Sequence, residues 1–113
     1  MVHIDFYSFG KIIIDGKTYE RDVLVLPDGK IIQRTMPKGT HVICFSELAS
    51  ILKDKPQVIV IGTGKEGCAQ LEKGVEEKIK KEKIKLLVQI TDHAIKTFNK
   101  CKEKKAALLH LTC

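Results

Sequence analysis

The 113-residue sequence contains no tryptophan, only two arginines and only 5% aromatic residues, although its net charge is +6. Proteins that recognise a nucleic-acid sequence use arginine to contact base edges and aromatic rings to stack on bases. The composition therefore argues against specific nucleic-acid binding. The lysines are interpreted first as a solvated surface, with weak, salt-sensitive polyanion binding as the lesser alternative.

Several other familiar features are absent. The four cysteines are scattered and form no Cys-x-x-Cys pair, so neither a zinc ribbon nor a thioredoxin-type motif is indicated, and no cofactor is predicted. No apolar run approaches the roughly 20 residues of a membrane span. The first residues also lack the basic-then-apolar pattern of a signal peptide. The sequence predicts one cytoplasmic domain over residues 1–113 with no membrane partner, as a monomer or a weak dimer.

Two His-x-x-Cys pairs begin at His41 and His110. They hold atoms that zinc prefers, but residues three apart on a strand point to opposite faces, so structural roles are predicted and no metal site is. A nucleophile and base formed by Cys113 and His110 is not predicted either, because a thiol beside a terminal carboxylate is poorly placed to ionise.

The first third of the chain has the pattern of an antiparallel meander. Asp15-Gly16 separates two strand-like runs, which indicates a hairpin because that turn needs positive φ. A second turn is predicted at residues 27–30 (Pro-Asp-Gly-Lys), where proline presets φ and glycine takes the left-handed position. We therefore predict a β meander over residues 1–35.

Short apolar runs alternate with helical patterns over residues 42–113. Strands are predicted at residues 42–45, 58–61, 84–90 and 106–111, and helices are predicted to begin at Ser46, near Glu66, and at Thr91 or Asp92. Single helices between strands imply crossover connections, a mostly parallel sheet and helices on one face. The meander must cover the other face. The predicted fold is α/β, a three-layer β/β/α-type single domain with the meander packed on a mostly parallel (mixed) sheet.

The most informative segment is residues 58–65 (Val-Ile-Val-Ile-Gly-Thr-Gly-Lys), an apolar strand followed by a glycine-bracketed turn and a helical pattern. Open α/β sheets bind ligands outside the carboxyl ends of their strands. Amides at a helix N-terminus attract anions, although the glycines suit a tight turn equally well. The G-x-G-x-x-G match at residues 62–67 indicates a dinucleotide only weakly, and Cys68 after Gly67 excludes a P-loop.

Several segments together resemble one small protein family. They are residues 9–12, residues 61–64, the Thr-x-x-Ala-x-x-x-Phe-Asn segment at residues 91–99, and residues 110–113 (His-Leu-Thr-Cys), with Arg34 and His41 before the alternating part. This family contains the vertebrate adipogenesis-associated domain protein, a mitochondrial complex I assembly factor and many uncharacterised archaeal and bacterial proteins. The resemblance implies a compact three-layer α/β domain linked to assembly or regulation, with no established reaction or cofactor. It also implies a pocket at Gly62, Gly64 and Thr91, with Arg34 as a further candidate.

No catalytic constellation stands out in the sequence. The leading hypothesis is therefore a binding or assembly-type accessory protein that recognises a protein partner or a small anionic ligand. The alternative is a small enzyme acting on an anionic metabolite or nucleotide. Arg34 is interpreted as an anion ligand or a surface pair. The predicted ligand site comprises Gly62, Thr63, Gly64, Lys65, Thr91, Arg34 and His41.

Overall fold

The computed structural model describes residues 2–113, and the predicted α/β three-layer fold is confirmed. Met1, where the predicted domain begins, lies outside the described residues. In chain order the elements are β1 (Ile4–Ser8), β2 (Lys11–Ile14), β3 (Lys17–Tyr19), β4 (Val23–Val25), β5 (Ile31–Gln33), β6 (Val42–Ile43), a 3-10 turn (Phe45–Leu48), α1 (Ala49–Lys53), β7 (Val58–Thr63), β8 (Gln70–Leu71), α2 (Val75–Lys81), β9 (Lys85–Gln89), α3 (Thr91–Lys100) and β10 (Lys105–His110).

The central sheet has five strands in the order β5-β4-β10-β7-β9. Strands β10, β7 and β9 run parallel, with Val60 in register with Ala107 on one side and with Leu87 on the other. Every residue of β7 and β10 is buried, because both faces of the sheet are covered. The strands predicted at residues 58–61 and 84–90 therefore run parallel, as predicted, and their carboxyl ends share one edge of the sheet.

The predicted meander is divided between two sheets. Strands β1, β2 and β3 form a separate antiparallel sheet, and the predicted hairpin turn lies at Asp15 and Gly16, which have φ of 48° and 80°. Strands β4 and β5 instead continue the central sheet: β4 pairs antiparallel with β10, and β5 pairs antiparallel with β4 at the sheet edge. All three residues of β4 are buried, which is the pattern of a strand covered on both faces.

Two hydrophobic cores lie on opposite faces of the central sheet. The β1–β3 sheet and α3 cover one face, whereas α1, α2 and the β6–β8 pair cover the other. The prediction that all helices share one face is therefore wrong for α3. The path from β7 to β9 moves outward and the path from β9 to β10 moves back past β7, so crossovers of one hand place α2 and α3 on opposite faces. The Asn99 amide holds α3 to β1 through two 2.9 Å hydrogen bonds with the Ile4 backbone.

Local structure differs from prediction at two helix starts. The helix predicted near Glu66 begins at Val75, because Gly67 and Gly74 have φ of 73° and 91°, which no helix accommodates. Between the two glycines, β8 pairs in parallel with β6 outside the central sheet. Ser46 is exposed and is not a helix N-cap; the 3-10 turn instead follows Cys44, whose amide donates to Glu47 Oε2 at 2.8 Å.

Candidate functional site

The candidate site lies at the edge where the three parallel strands end, which we call the carboxyl-end rim (residues 62–69, 90–92 and 110–113). Thr91, the first residue of α3, is fully buried at its centre. Its Oγ1 accepts the Gly64 amide at 2.8 Å and donates to the His110 carbonyl at 2.7 Å. One hydroxyl thus joins the ends of β7, β9 and β10, so Thr91 acts here as a structural link.

The amides of residues 64–69 are used inside the chain. The Gly64 amide donates to the Thr91 hydroxyl. The other amides donate to backbone carbonyls at 2.7–3.4 Å: Lys65 to Thr112, Gly67 to Gly64, Cys68 to Cys113, and Ala69 to Thr63. Gly62 and Gly64 allow Thr91 and Cys113 to pack closely against the turn, because neither glycine carries a Cβ atom. A Cβ on Gly64 would lie 2.4 Å from the Cys113 carbonyl carbon, and a Cβ on Gly62 would lie 2.9 Å from Thr91 Oγ1. Because α2 begins at Val75, the helix predicted from near Glu66 does not present its N-terminus to this turn. The N-terminus of α3 does border the turn, and the Thr91 amide there donates to the Gly64 carbonyl at 3.1 Å.

Lys65 is the exposed basic residue of the turn, and its ammonium group is paired with a carboxylate. Its Nζ lies 3.0 Å from Asp92 Oδ2 and 5.1 Å from the centre of the Tyr7 ring. The Tyr7 hydroxyl donates to the Leu111 carbonyl at 2.9 Å. Burial, with a further contribution from the Asp92 carboxylate, raises the pKa of Tyr7 to about 12, so this hydroxyl stays protonated. Tyr7 comes from the distant β1 strand, and no sequence pattern marked it.

Arg34 is neither a free anion ligand nor a surface residue. Its side chain is fully buried, with Nε 2.6 Å from Glu47 Oε1 and Nη1 2.8 Å from Asp22 Oδ2. Two backbone carbonyls, of Thr40 and Val42, accept its remaining hydrogen bonds at 3.0 and 3.2 Å. The interpretation of Arg34 as an available anion ligand is therefore wrong, because four buried acceptors already engage its guanidinium group, which has five N–H donors.

His110 connects this buried ion network to the rim. Its Nδ1 lies 2.7 Å from Asp22 Oδ2, and its ring meets the exposed His41 ring edge to face at 5.7 Å. Burial opposes ionisation of Asp22, but hydrogen bonds from His110 and the Leu111 amide outweigh burial and lower the pKa of that carboxyl. Of the seven predicted residues, Gly62, Thr63, Gly64, Lys65 and Thr91 lie together at the rim and His41 contacts His110, whereas Arg34 is buried and is linked to His110 only through Asp22. Tyr7, Asp22, Glu47 and the role of His110 were missed in the sequence.

The Asp22 environment predicts acid sensitivity. Because the folded-state pKa of Asp22 lies below its unfolded value of about 3.9, its stabilising contribution is fully present above that pH and is lost as pH falls through the folded value. We expect the free energy of unfolding, measured by urea titration from pH 7 to pH 3, to fall below about pH 4. An Asp22→Asn variant should be less stable at pH 7 and should lose less between pH 5 and pH 3. An equal decline in both proteins would contradict this assignment.

Two further findings concern metal ligands and membrane-spanning helices. Among residues 2–113, no three side chains of histidine, cysteine, aspartate or glutamate converge in an arrangement that could hold a metal ion. None of the helices in the same part of the chain is long and apolar enough to cross a bilayer.

The fold is that of a class of small α/β proteins already seen in archaea and bacteria. A conserved hypothetical protein from Pyrococcus horikoshii OT3 superposes with a TM-score of 0.88 at 26% identity, over 97% of this chain and 98% of that one. The protein MT938 superposes with a TM-score of 0.85 at 26% identity, over the full length of both. An outer membrane protein from Bartonella henselae reaches a TM-score of 0.81 at 24% identity, over 97% and 94% of the two chains, which establishes a common fold alone.

Residues 4–110 match the family described as "Protein of unknown function (DUF498/DUF598)". The chain therefore belongs to the DUF498/DUF598 family, and the family resemblance predicted from its motifs is confirmed. No curated protein matches the sequence.

Proposed function

We propose that the protein is a non-catalytic binding module of the accessory type, which uses the carboxyl-end rim to bind a protein partner. One observation carries this proposal: the turn after β7 donates its amides to the chain's own carbonyls, while large apolar side chains beside it remain exposed. A turn whose donors are occupied offers little to a small anion. An exposed apolar surface with charged neighbours is what a protein interface requires.

Two apolar side chains are exposed at the carboxyl-end rim, which also carries the Lys65–Asp92 ion pair. Phe9 is 57% exposed at the tip of the β1–β2 hairpin, which is held at the rim by a 2.8 Å hydrogen bond from the Gly10 amide to the Leu111 carbonyl. Ile90 is 39% exposed at the end of β9. Lys65 and Asp92 each keep 43% of their side chains exposed between these elements. Aromatic anchors with adjacent charges are typical of the residues that dominate binding energy.

The proposal predicts that Phe9 and Ile90 contribute to partner binding without contributing to folding. A Phe9→Ser, Ile90→Ser variant should bind the partner at least tenfold more weakly and unfold at nearly the same temperature. Phe6→Ser is the matched control, because Phe6 is 48% exposed on the same hairpin but lies beside Lys11 instead of the rim. The measurement is quantitative capture from lysate of the source cells, followed by titration of the recovered protein against the three purified chains.

Hydrogen exchange locates the contact independently. Partner binding should slow exchange at residues 64–68 in the wild-type chain and in Phe6→Ser. The proposal fails if the partner binds all three chains equally, or if protection appears only at a surface away from the rim.

The alternative is a small enzyme or binding protein for an anionic metabolite. A cavity of about 300 Å³ beside the rim favours it, since Arg21, Asp22, Thr40 and Thr112 line this cavity. The Thr112 hydroxyl also lies 3.4 Å from His110 Nε2. Mass spectrometry of gently purified protein distinguishes the two: a metabolite that co-purifies with the wild type and is lost in Arg21→Gln supports the alternative.

A further inference from the structure

The opposite edge of the parallel strands concentrates the positive charge of the molecule. Three loops lead into β7, β9 and β10, and hydrogen bonds join them: Gln57 and Val58 amides donate to the Lys104 carbonyl, and the Lys85 amide donates to the Gln57 carbonyl, at 2.8–3.1 Å. We call this edge the amino-end rim (residues 53–57, 81–85 and 100–104). These segments hold eight lysines and three carboxylates, a net charge of +5 out of +6 for the whole chain.

All eight lysines are exposed, and within residues 2–113 none forms a salt bridge. They are Lys53, Lys55, Lys81, Lys83, Lys85, Lys100, Lys102 and Lys104. Lysines at helix C-termini can offset the partial charge of the last carbonyls, and Lys53, Lys81 and Lys100 end the three α-helices. Helix stability therefore accounts for three of the eight and leaves five without a structural role of that kind.

Two lysines of this rim occupy backbone positions that favour glycine. Lys55 and Lys83 have φ of 47° and 61°, and each follows the C-cap residue of a helix, where glycine or asparagine is usual. A long side chain in this conformation costs roughly 1 kcal/mol relative to glycine. The backbone conformation at these two positions therefore does not select for lysine, and local structure does not account for its charge there.

We propose that the amino-end rim binds the phosphodiester backbone of a nucleic acid without reading its sequence. Lysine supplies point charges for phosphates, whereas the rim loops lack arginine and aromatic residues, which base recognition uses. None of the large exposed apolar residues, Phe6, Phe9, Met36, Val88 and Ile90, belongs to these loops. The rim therefore has no apolar anchor of the kind that a protein interface or an inserted membrane contact needs. The surface ends where Asp15 and Asp28 line the neighbouring cavity.

Lys55→Asn, Lys83→Asn is the test variant, because asparagine removes both charges and suits positive φ. Lys11→Gln, Lys73→Gln is the matched control with the same change in net charge on exposed lysines elsewhere. Binding is measured by fluorescence anisotropy with a 20-base-pair DNA duplex and a 20-nucleotide uridine RNA, from 50 to 200 mM salt. We expect the Asn variant to bind about tenfold more weakly at 50 mM, with a salt slope lower by about 2 for the duplex. Its Tm should be equal to or higher than that of the wild type.

The control decides between a located site and bulk charge. The control variant should stay within threefold of the wild type. Equal weakening in both variants would overturn the proposal, as would the absence of binding to either probe at 50 mM salt. Binding to vesicles with 20% phosphatidylserine, lost in the Asn variant, without binding to nucleic acid would also overturn it, because the anionic partner would then be a lipid surface.

Discussion

Replacing Arg34 by methionine is expected to lower the free energy of unfolding by about 3–5 kcal/mol, the cost of removing one partner from a buried ion pair. Methionine keeps most of the side-chain length but leaves the Asp22 and Glu47 carboxylates buried without the cation that lies 2.8 and 2.6 Å from them. Two buried carboxylates would then repel each other in a medium of low dielectric constant. The measurement is urea unfolding at pH 7, followed by circular dichroism.

Arg21 provides the matched control, since it is the only other arginine and is exposed on the connection between β3 and β4. Arg21→Met should change the free energy of unfolding by about 0.5 kcal/mol or less. Adding Glu47→Gln to Arg34→Met should recover part of the loss by removing one unpaired charge. Similar losses for Arg34→Met and Arg21→Met would mean that the buried network contributes nothing to stability.

The central strands could be predicted because their signals are local. The four apolar, β-branched residues of the segment ending at Ile61, bounded by a glycine turn, are typical of a strand buried on both faces, and Asp15-Gly16 specifies its turn through the φ values it permits. Strand β4 could not be assigned to the central sheet in the same way. It lies between two turns of a continuous meander pattern, and only its pairing with β10, more than 80 residues later, decides which sheet it joins.

The buried ion network could not be predicted, because its residues are far apart in the sequence and give no local signal. Asp22 and Glu47 lie 12 and 13 residues from Arg34, and His110 lies 88 residues from Asp22, so the sequence shows four isolated polar residues. The segment that follows the turn after β7 was predicted incorrectly. A helix was predicted to begin near Glu66, but Gly67 and Gly74 have positive φ and β8 pairs with β6, so a loop with a short strand precedes the helix.

Replacing Gly64 by alanine is expected to be the most damaging single change at the carboxyl-end rim, with a loss of about 4 kcal/mol in the free energy of unfolding. Gly64 has φ of 107°, and a Cβ there would lie 2.4 Å from the Cys113 carbonyl carbon and 2.7 Å from His110 Cδ2. One contact is with backbone and the other with a fully buried ring, so neither can yield cheaply. Relief requires residues 112–113 to leave the turn, which would break the hydrogen bonds from the Lys65 and Cys68 amides.

Gly16→Ala separates the clash from the backbone strain. Gly16 has φ of 80°, yet a Cβ there would meet nothing within 4 Å, so alanine should cost only about 1 kcal/mol. Thermal and urea unfolding of both variants measure the difference, and hydrogen exchange at residues 65–68 should rise in Gly64→Ala alone.

This link between the turn and the chain end also bears on the proposed partner surface, because Phe9 is positioned through Leu111, directly before the displaced residues. Gly64→Ala should therefore weaken partner binding even at temperatures where the domain stays folded. Equal stability losses in the two variants would show that the chain end does not pack against Gly64.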